Sequence, residues 1–243
     1  MPEGHDFEKH ETPPQPKVDQ RAVLEQGEIA DTKALEGWER YDVVEIKDDG
    51  KALFRPESDE HEEDIMTRER GLFRNDLEVL VAKIDEALGF NLVPVVVRRS
   101  LGSKSGTLQQ FVDSATVAES LGFQDWFGVV DNSEIVKAAV FDYLICAKDR
   151  GRANFLVDKD ARKIWLIDHD YPMLVSWTYG SVILKTAVSE GLVDLSEEIK
   201  GAIKNLLVNI DSIIDQNARP EIREIVAGIK KRAEHLIASG KLA

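Results

Sequence analysis

Short hydrophobic runs in the first half of the chain predict strands. Residues 41–47 carry several apolar and β-branched side chains, which favour extended backbone. The turn sequence Asp48-Asp49-Gly50 follows, so we expect a hairpin that returns through residues 51–55 and ends its ladder at Pro56. Further candidate strands lie at residues 32–36, 92–99 and 106–112.

Helical spacing of apolar residues occurs once in the first half and dominates the second half. The first periodic stretch runs from Phe73 to Leu88, and Gly89 stands where a glycine commonly ends a helix. The second half contains one predicted hairpin, at residues 155–167. Its predicted helices lie at residues 117–121, 135–147, 199–213 and 220–236, the last beginning with Pro220 in a favoured first-turn position.

This order of elements predicts an α+β fold with two lobes. Strands with one helix come first and helices follow, which is typical of an antiparallel-sheet lobe joined to a mostly helical lobe. Residues 1–25 are polar, contain prolines and show no periodicity, so we expect a flexible tail there. The first lobe would then span residues 26–112 and the second residues 113–243.

Composition and charge narrow the choice of partners and compartment. The net charge is −14 and the basic residues are scattered, so we expect no nucleic-acid partner, and a membrane surface is also unfavourable. An acidic run over residues 57–64 could bind a cation or a partner, although such runs are usually solvated loops. The chain shows no membrane-spanning stretch or secretory signal, and Cys146 is its only cysteine. We expect a cytoplasmic protein.

The strongest candidate for a chemical site is the segment over residues 141–173. An apolar helix leads into a polar loop that carries Asp149 and Asn154, and a short hairpin then ends at Asp168. A turn centred near residue 161 would place Asn154 directly opposite Asp168 at the open end of the hairpin. Asp149 can lean over the same place, so two carboxylates and a carboxamide are predicted to converge.

Oxygen ligands of this kind suit a hard cation. Mg²⁺ prefers oxygen ligands, retains several waters and commonly shares its coordination sphere with nucleotide phosphates. A carboxylate that is not a ligand can orient a hydroxyl nucleophile, and phosphoryl transfer requires these parts. The alternatives are that Asp149 and Asn154 only cap a turn and that Asp168 ends a strand at the surface.

Several segments resemble the phosphoinositide 3- and 4-kinase branch of the protein-kinase-like superfamily and its bacterial relatives. D-R-x-x-x-N followed by a hairpin ending in I-D-H is similar to the catalytic and metal-binding loops of those enzymes. The resemblance covers roughly residues 30–175 and implies a two-lobed protein-kinase-like fold. The other similar segments follow in the family's order: LFRP at residues 53–56, Glu78, ALGFNLVP at residues 87–94 and GTLQQFV at residues 106–112.

The resemblance implies a role for each candidate residue. Asp149 would be the aspartate of the catalytic loop, and Asn154 and Asp168 would be the ligands of Mg²⁺ bound with ATP. Arg55, which stands where the family has lysine, would contact the α- and β-phosphates and be held by Glu78.

The nucleotide-binding elements of the first lobe are also implied by the resemblance. Phe111 and Val112 would present backbone groups to adenine. Gly37, between Glu36 and Glu39, is the one glycine where the family carries a glycine-rich loop, and those acidic neighbours oppose phosphate.

Two assignments leave alternatives open. Glu78 follows Asn75 in a capping-box pattern, so it could serve only the start of its helix. Lys51 shares a strand face with Arg55, and either basic residue could face the cleft. The histidines, including His169, show no spacing of metal ligands.

We therefore expect an ATP- and Mg²⁺-dependent phosphotransferase. Its acceptor would be a protein or a soluble small molecule rather than a phosphoinositide, because the chain is acidic. Arg55 in place of lysine and the missing glycine-rich loop leave two alternatives. One is a pseudokinase that acts as a nucleotide-binding or protein-interaction module, and the other is an AMP transferase on the same fold.

Overall fold

The structure of the chain is a computed structural model. It describes residues 19–34, 41–47, 50–57, 74–169, 180–215 and 218–242. Gly37 and its acidic neighbours lie outside these ranges, as does the acidic run beyond Glu57.

The first half of the chain forms a five-stranded sheet with one long helix. The strand order is β1-β2-β3-β5-β4, and all neighbouring strands run antiparallel. The predicted hairpin strands and the predicted helix are confirmed. The elements are α1 (Gln20–Gln26), β1 (Ile29–Ala34), β2 (Asp42–Ile46), β3 (Gly50–Pro56), α2 (Arg74–Leu88), β4 (Val96–Leu101) and β5 (Lys104–Gln110).

The segment predicted as one strand over residues 92–99 enters the sheet only at Val96. The backbone N–H groups of Leu92 and Val93 donate to Asp85 Oδ2 at 2.8 and 3.0 Å. These donors are therefore satisfied by a side chain of α2 and not by a neighbouring strand, which shortens β4.

Helix α1 corrects the last part of our prediction of a flexible tail over residues 1–25, since residues 20–25 are helical and residues 1–18 lie outside the described ranges. Asp19 caps its first turn by accepting backbone N–H groups. Leu24 is buried against the sheet, and the Arg99 guanidinium donates to the carbonyls of Leu24 and Gly27 at 2.7 and 2.6 Å. The prediction failed because this short helix is stabilised by the sheet and by Arg99, which its own sequence does not reveal.

The second half is mostly helical and contains a small antiparallel sheet in the order β6-β7-β8. The predicted α+β fold with a sheet lobe and a helical lobe is confirmed. Among the described helices, none is long and apolar enough to cross a membrane. The elements are β6 (Thr116–Val117), α3 (Phe123–Phe127), α4 (Asn132–Ile145), β7 (Phe155–Asp158), β8 (Lys163–Leu166), α5 (Val182–Ser189), α6 (Glu197–Ile213) and α7 (Pro220–Ser239), with 3₁₀ turns at Ala118–Ser120 and Arg152–Asn154.

The helix predicted over residues 117–121 is wrong. Val117 pairs with Leu156 of β7, and only a 3₁₀ turn at Ala118–Ser120 follows. The stretch is too short to nucleate an α-helix in isolation, so strand pairing determines its conformation.

The hydrophobic core joins α2 to the helical half. Helix α2 packs against α6, and one cluster of buried residues extends from Leu77 through Phe141 to Leu236. A smaller cluster lies between α1 and the sheet. Because α2 belongs to the larger core, its side chains lie within reach of the loops that leave α4 and β8.

Candidate active site

The hairpin β7–β8 has a register that differs by one residue from our prediction. Phe155 pairs with Leu166, and Asp158 pairs with Lys163. The Ile167 N–H accordingly donates to the Asn154 carbonyl at 3.2 Å, so Ile167 rather than Asp168 faces Asn154. Asp168 is the next residue along.

Asp168 leaves the ladder in an uncommon backbone conformation. Its φ is 55°, which is in the left-handed region that non-glycine residues seldom adopt. Asn91, Cys146 and Arg162 adopt the same conformation, so it does not by itself distinguish Asp168.

Asp149 and Asp168 line the same small cavity, which has a volume of about 20 Å³. Asp149 is exposed and Asp168 is half-buried. The cavity is also lined by Ile145, Ala147, Lys148, Arg150 and His169. The structure therefore brings together the two carboxylates that the sequence predicts.

Asn154 is held beside this cavity by the loop itself. Its Nδ2 donates to the Asp149 carbonyl at 2.6 Å. Asn154 ends a 3₁₀ turn whose first residue, Arg152, follows Gly151. The amide is thus tied to the backbone of the aspartate, and its own backbone carbonyl receives the N–H of Ile167.

The donor set fits a magnesium ion that shares its ligands with a nucleotide. Within the described ranges, no group of three or more His, Cys, Asp and Glu side chains could hold a metal alone. Asp149, Asp168 and the Asn154 carboxamide offer hard oxygen ligands, and Mg²⁺ commonly completes such a set with phosphate oxygens and water. The residues suit a shared metal better than an all-protein metal cage.

Arg55 and Glu78 form a buried ion pair between the sheet and α2. The Arg55 guanidinium lies 3.7 Å from Glu78 Oε1, and both side chains are buried. Arg55 also lies over the Tyr41 ring, with its Cζ 5.1 Å from the centroid. Lys51 is exposed, so Arg55 is the basic residue that faces inward.

The capping-box alternative for Glu78 is not what the structure contains. Asn75 lies inside α2, and its Oδ1 accepts a hydrogen bond from Thr107 Oγ1 at 3.2 Å. Its Nδ2 lies 3.5 Å from the Arg55 carbonyl. Asn75 therefore links α2 to β3 and β5, and Glu78 is directed to Arg55.

His169 is a residue that the sequence reasoning missed. It is buried, and Glu78 accepts its backbone N–H at 2.8 Å through Oε1. Glu78 Oε2 also lies 3.2 Å from His169 Nδ1. A search for metal-ligand spacing could not find this contact; the available signal was that His169 directly follows Asp168.

Glu78 consequently connects two parts of the candidate site. It contacts Arg55 on one side and the residue after Asp168 on the other. Any displacement of α2 therefore acts on both the candidate phosphate contact and the candidate metal ligand.

The candidate adenine-binding segment offers fewer backbone groups than expected. The Phe111 N–H donates to the Lys51 carbonyl at 3.2 Å, and the Val112 carbonyl accepts from the Ala115 N–H at 3.4 Å. Two of the four backbone groups of Phe111 and Val112 are thus already engaged in hydrogen bonds within the described part of the chain.

The comparisons with known proteins agree with this architecture. No protein-family model matches the chain, and no curated protein matches it. Solved structures do match: that of the Golgi casein kinase has a TM-score of 0.54 and 13% identity over 90% of this chain and 74% of that one. The structure of the Golgi casein kinase with Mn/ADP bound gives a TM-score of 0.56 at 14% identity, with the same coverage of 90% and 74%.

The Helicobacter pylori proinflammatory kinase CtkA also matches, with a TM-score of 0.47 and 10% identity over 90% of this chain and 94% of that one. That match is too distant to carry an inference. The two Golgi casein kinase structures establish that the chain has a two-lobed kinase-like fold.

Proposed function

We propose that the chain is an ATP- and Mg²⁺-dependent phosphotransferase. The observation that carries the proposal is the shared cavity of Asp149 and Asp168, placed beside a buried Arg55–Glu78 pair in a kinase-like fold. The Golgi casein kinase structure with Mn/ADP bound supports nucleotide and divalent-metal binding as the chemistry to expect in this architecture.

Each side chain then has a defined task. Asp149, which is exposed, orients the acceptor hydroxyl and takes its proton. Asn154 and Asp168 hold Mg²⁺, which when bound neutralises phosphate charge. Arg55 contacts the α- and β-phosphates while Glu78 fixes its position. The backbone of Phe111 and Val112 receives adenine.

Gly37 would lie over the phosphates in this proposal, as the single counterpart of a glycine-rich loop. This assignment depends on the resemblance to the phosphoinositide 3- and 4-kinase branch. We propose that the chain is related to this branch, because the segments around Asp149, Asp168 and residues 87–94 follow its order.

The acceptor is a protein hydroxyl or a soluble small molecule. A net charge of −14 opposes close approach to an anionic membrane, so a phosphoinositide headgroup is a poor acceptor. The same charge fits a cytoplasmic protein that engages neither lipid nor nucleic acid.

One observation favours a second candidate, a pseudokinase that binds nucleotide without transferring phosphate. The Arg55 guanidinium is wide and planar, and it is enclosed by Tyr41 and Glu78. A guanidinium held in this way can bind phosphate yet fail to adjust during transfer.

Thermal melting with and without Mg²⁺ and ATP tests nucleotide binding, and labelled ATP tests transfer. We expect the wild-type chain to be stabilised by the two ligands together and the Asp168→Asn variant not to be. Label from the γ-phosphate should then reach an acceptor; label from the α-phosphate would indicate AMP transfer. Absence of stabilisation in the wild-type chain would refute both the kinase and the nucleotide-binding pseudokinase.

A further inference from the structure

The loop that carries Asp149 contains a buried guanidinium with an unusual set of contacts. Arg150 is 2% exposed. Its Nη1 donates to the carbonyl of Asn154 at 2.6 Å and to the carbonyl of Ile167 at 2.5 Å. One side chain thus binds the backbone at both open ends of the hairpin, next to Asp168.

The charge of Arg150 is balanced inside the helical lobe. Its Nε donates to Asp142 Oδ1 at 3.2 Å, and Asp142 is fully buried in α4. The other carboxylate oxygen accepts from Ser181 Oγ at 2.7 Å. A buried ion pair is favourable only when its remaining hydrogen bonds are satisfied, and these contacts satisfy them.

The chain that returns at Gly180 is anchored to the same place. The Val182 N–H donates to the Arg150 carbonyl at 3.0 Å, and the Gly180 N–H donates to the Ala147 carbonyl at 3.2 Å. A Cβ at Gly180 would lie 1.4 Å from the Lys148 carbonyl oxygen, so only glycine permits this approach. The backbone from Gly180 to Val182 is therefore hydrogen-bonded to the loop that carries Asp149.

We propose that Arg150 is a positioning residue that sets the spacing of Asp149, Asn154 and Asp168. Arg150 follows Asp149 directly, binds the carbonyl of Asn154, and binds the carbonyl of the peptide unit that Ile167 shares with Asp168. It therefore connects all three residues through the backbone, and its guanidinium donates its hydrogen bonds to protein atoms. This inference rests on the proposed function and identifies how its site is held together.

Lysine cannot replace this geometry. A guanidinium presents five donors in a fixed planar arrangement, whereas an ammonium is a compact charge on a flexible stem. At position 150, lysine can still pair with Asp142, but it cannot hold both carbonyls and the carboxylate in one rigid plane.

The same loop offers a matched control. Arg152 also donates to backbone carbonyls, to Glu119 at 2.9 Å and to Leu121. These carbonyls lie within and directly after the 3₁₀ turn at Ala118–Ser120, and not beside Asp168. Loss of a loop guanidinium in general can therefore be separated from loss of the contacts that Arg150 makes.

The test measures the Mg²⁺ concentration that gives half of the ATP-dependent rise in melting temperature. Outer contacts that orient metal ligands commonly contribute about 10–100-fold to metal affinity. We expect Arg150→Lys to raise this Mg²⁺ midpoint at least about 10-fold. Arg152→Lys should leave the midpoint within about twofold of the wild-type value. Both variants should lower the melting temperature measured without ligands, because each loses hydrogen bonds to backbone carbonyls.

Asp142→Asn keeps the shape of the buried partner and provides a second variant if Arg150→Lys does not fold. It should raise the midpoint in the same direction, because the guanidinium loses its counter-charge. An unchanged midpoint in Arg150→Lys, or in Asp142→Asn when only that variant folds, would overturn the positioning role, as would an equal rise in Arg152→Lys. If the wild-type chain shows no Mg²⁺–ATP stabilisation, the proposed function itself fails, and the wild-type measurement alone reveals this.

Discussion

Asp85 gives a prediction whose magnitude follows from the structure. The carboxylate is 3% exposed and its Oδ2 accepts the N–H groups of Leu92 and Val93. Its Oδ1 is buried and has no hydrogen-bond partner among the described residues. Burial raises the pKa of Asp85 from 3.8 to about 7, although the two backbone hydrogen bonds act in the opposite direction.

The direction in which stability changes with pH follows from the raised pKa of Asp85 in the folded chain. The folded chain holds the proton of Asp85 more tightly than the unfolded chain, so the stabilising contribution is fully present below about pH 4 and is lost as the pH rises through about 7. The contribution of this proton to the free energy of unfolding is at most about 4 kcal/mol, and about 2 kcal/mol of it is lost between pH 5 and 7.

Asp85→Asn removes the titration and keeps an oxygen acceptor for both N–H groups. Its buried NH₂ group adds a cost that does not vary with pH. Urea unfolding is measured at pH 5, 6, 7 and 8 and constant ionic strength. The free energy of unfolding of the variant relative to that of the wild type should rise by about 2 kcal/mol between pH 5 and 7.

Asp158→Asn is the matched control with the opposite sign. The backbone N–H of Ala161 and the Ser114 hydroxyl lower the pKa of Asp158, so its contribution is present at neutral pH and is lost in acid. For Asp85→Asn, a difference in the free energy of unfolding from the wild type that stays constant from pH 5 to 8 would refute the raised pKa of Asp85.

Three further predictions concern contacts that hold the site. Leu24→Ala should lower the free energy of unfolding by about 2–4 kcal/mol in urea titrations, because Leu24 fills the core between α1 and the sheet; a loss below about 0.5 kcal/mol would mean that α1 is not packed there. Glu78→Gln should weaken ATP binding, measured by calorimetry, at least about 10-fold, because Arg55 loses its counter-charge and His169 loses its anionic partner. An unchanged affinity would contradict the role of Glu78 in connecting Arg55 with the residue after Asp168. Gly180→Ala should displace the Asp149 loop and increase its hydrogen exchange, because the new Cβ meets the Lys148 carbonyl; unchanged exchange would contradict the close approach.

The general position of the candidate site could be predicted from sequence because it depends on local signals. The end of α4, the polar loop and the hairpin are close along the chain, and they place Asp149 and Asp168 at one cavity. The register was wrong by one residue because the strands close at Asp158 and Lys163, and residue types in the turn do not determine that closing pair.

The supporting contacts could not be predicted because they depend on side-chain packing that no local sequence pattern specifies. In the sequence Arg150 is visible only as part of the D-R-x-x-x-N motif, whereas its buried side chain contacts Asp142 and Ile167. The spacing of His169 shows no metal-ligand pattern and gives no sign that Glu78 lies against it. The contact between Glu78 and His169 depends on how α2 packs on the helical lobe, which the periodicity of α2 alone does not specify.

The central claim is that Asp168 holds a divalent ion together with ATP. Titration of Mn²⁺ followed by electron paramagnetic resonance, with ATP present, measures this binding directly. The claim predicts that the wild-type chain and Asp160→Asn, a control in the exposed turn of the same hairpin, bind Mn²⁺ beyond what free ATP binds, and that Asp168→Asn does not. Equal binding by Asp168→Asn, or none by the wild-type chain, would contradict it.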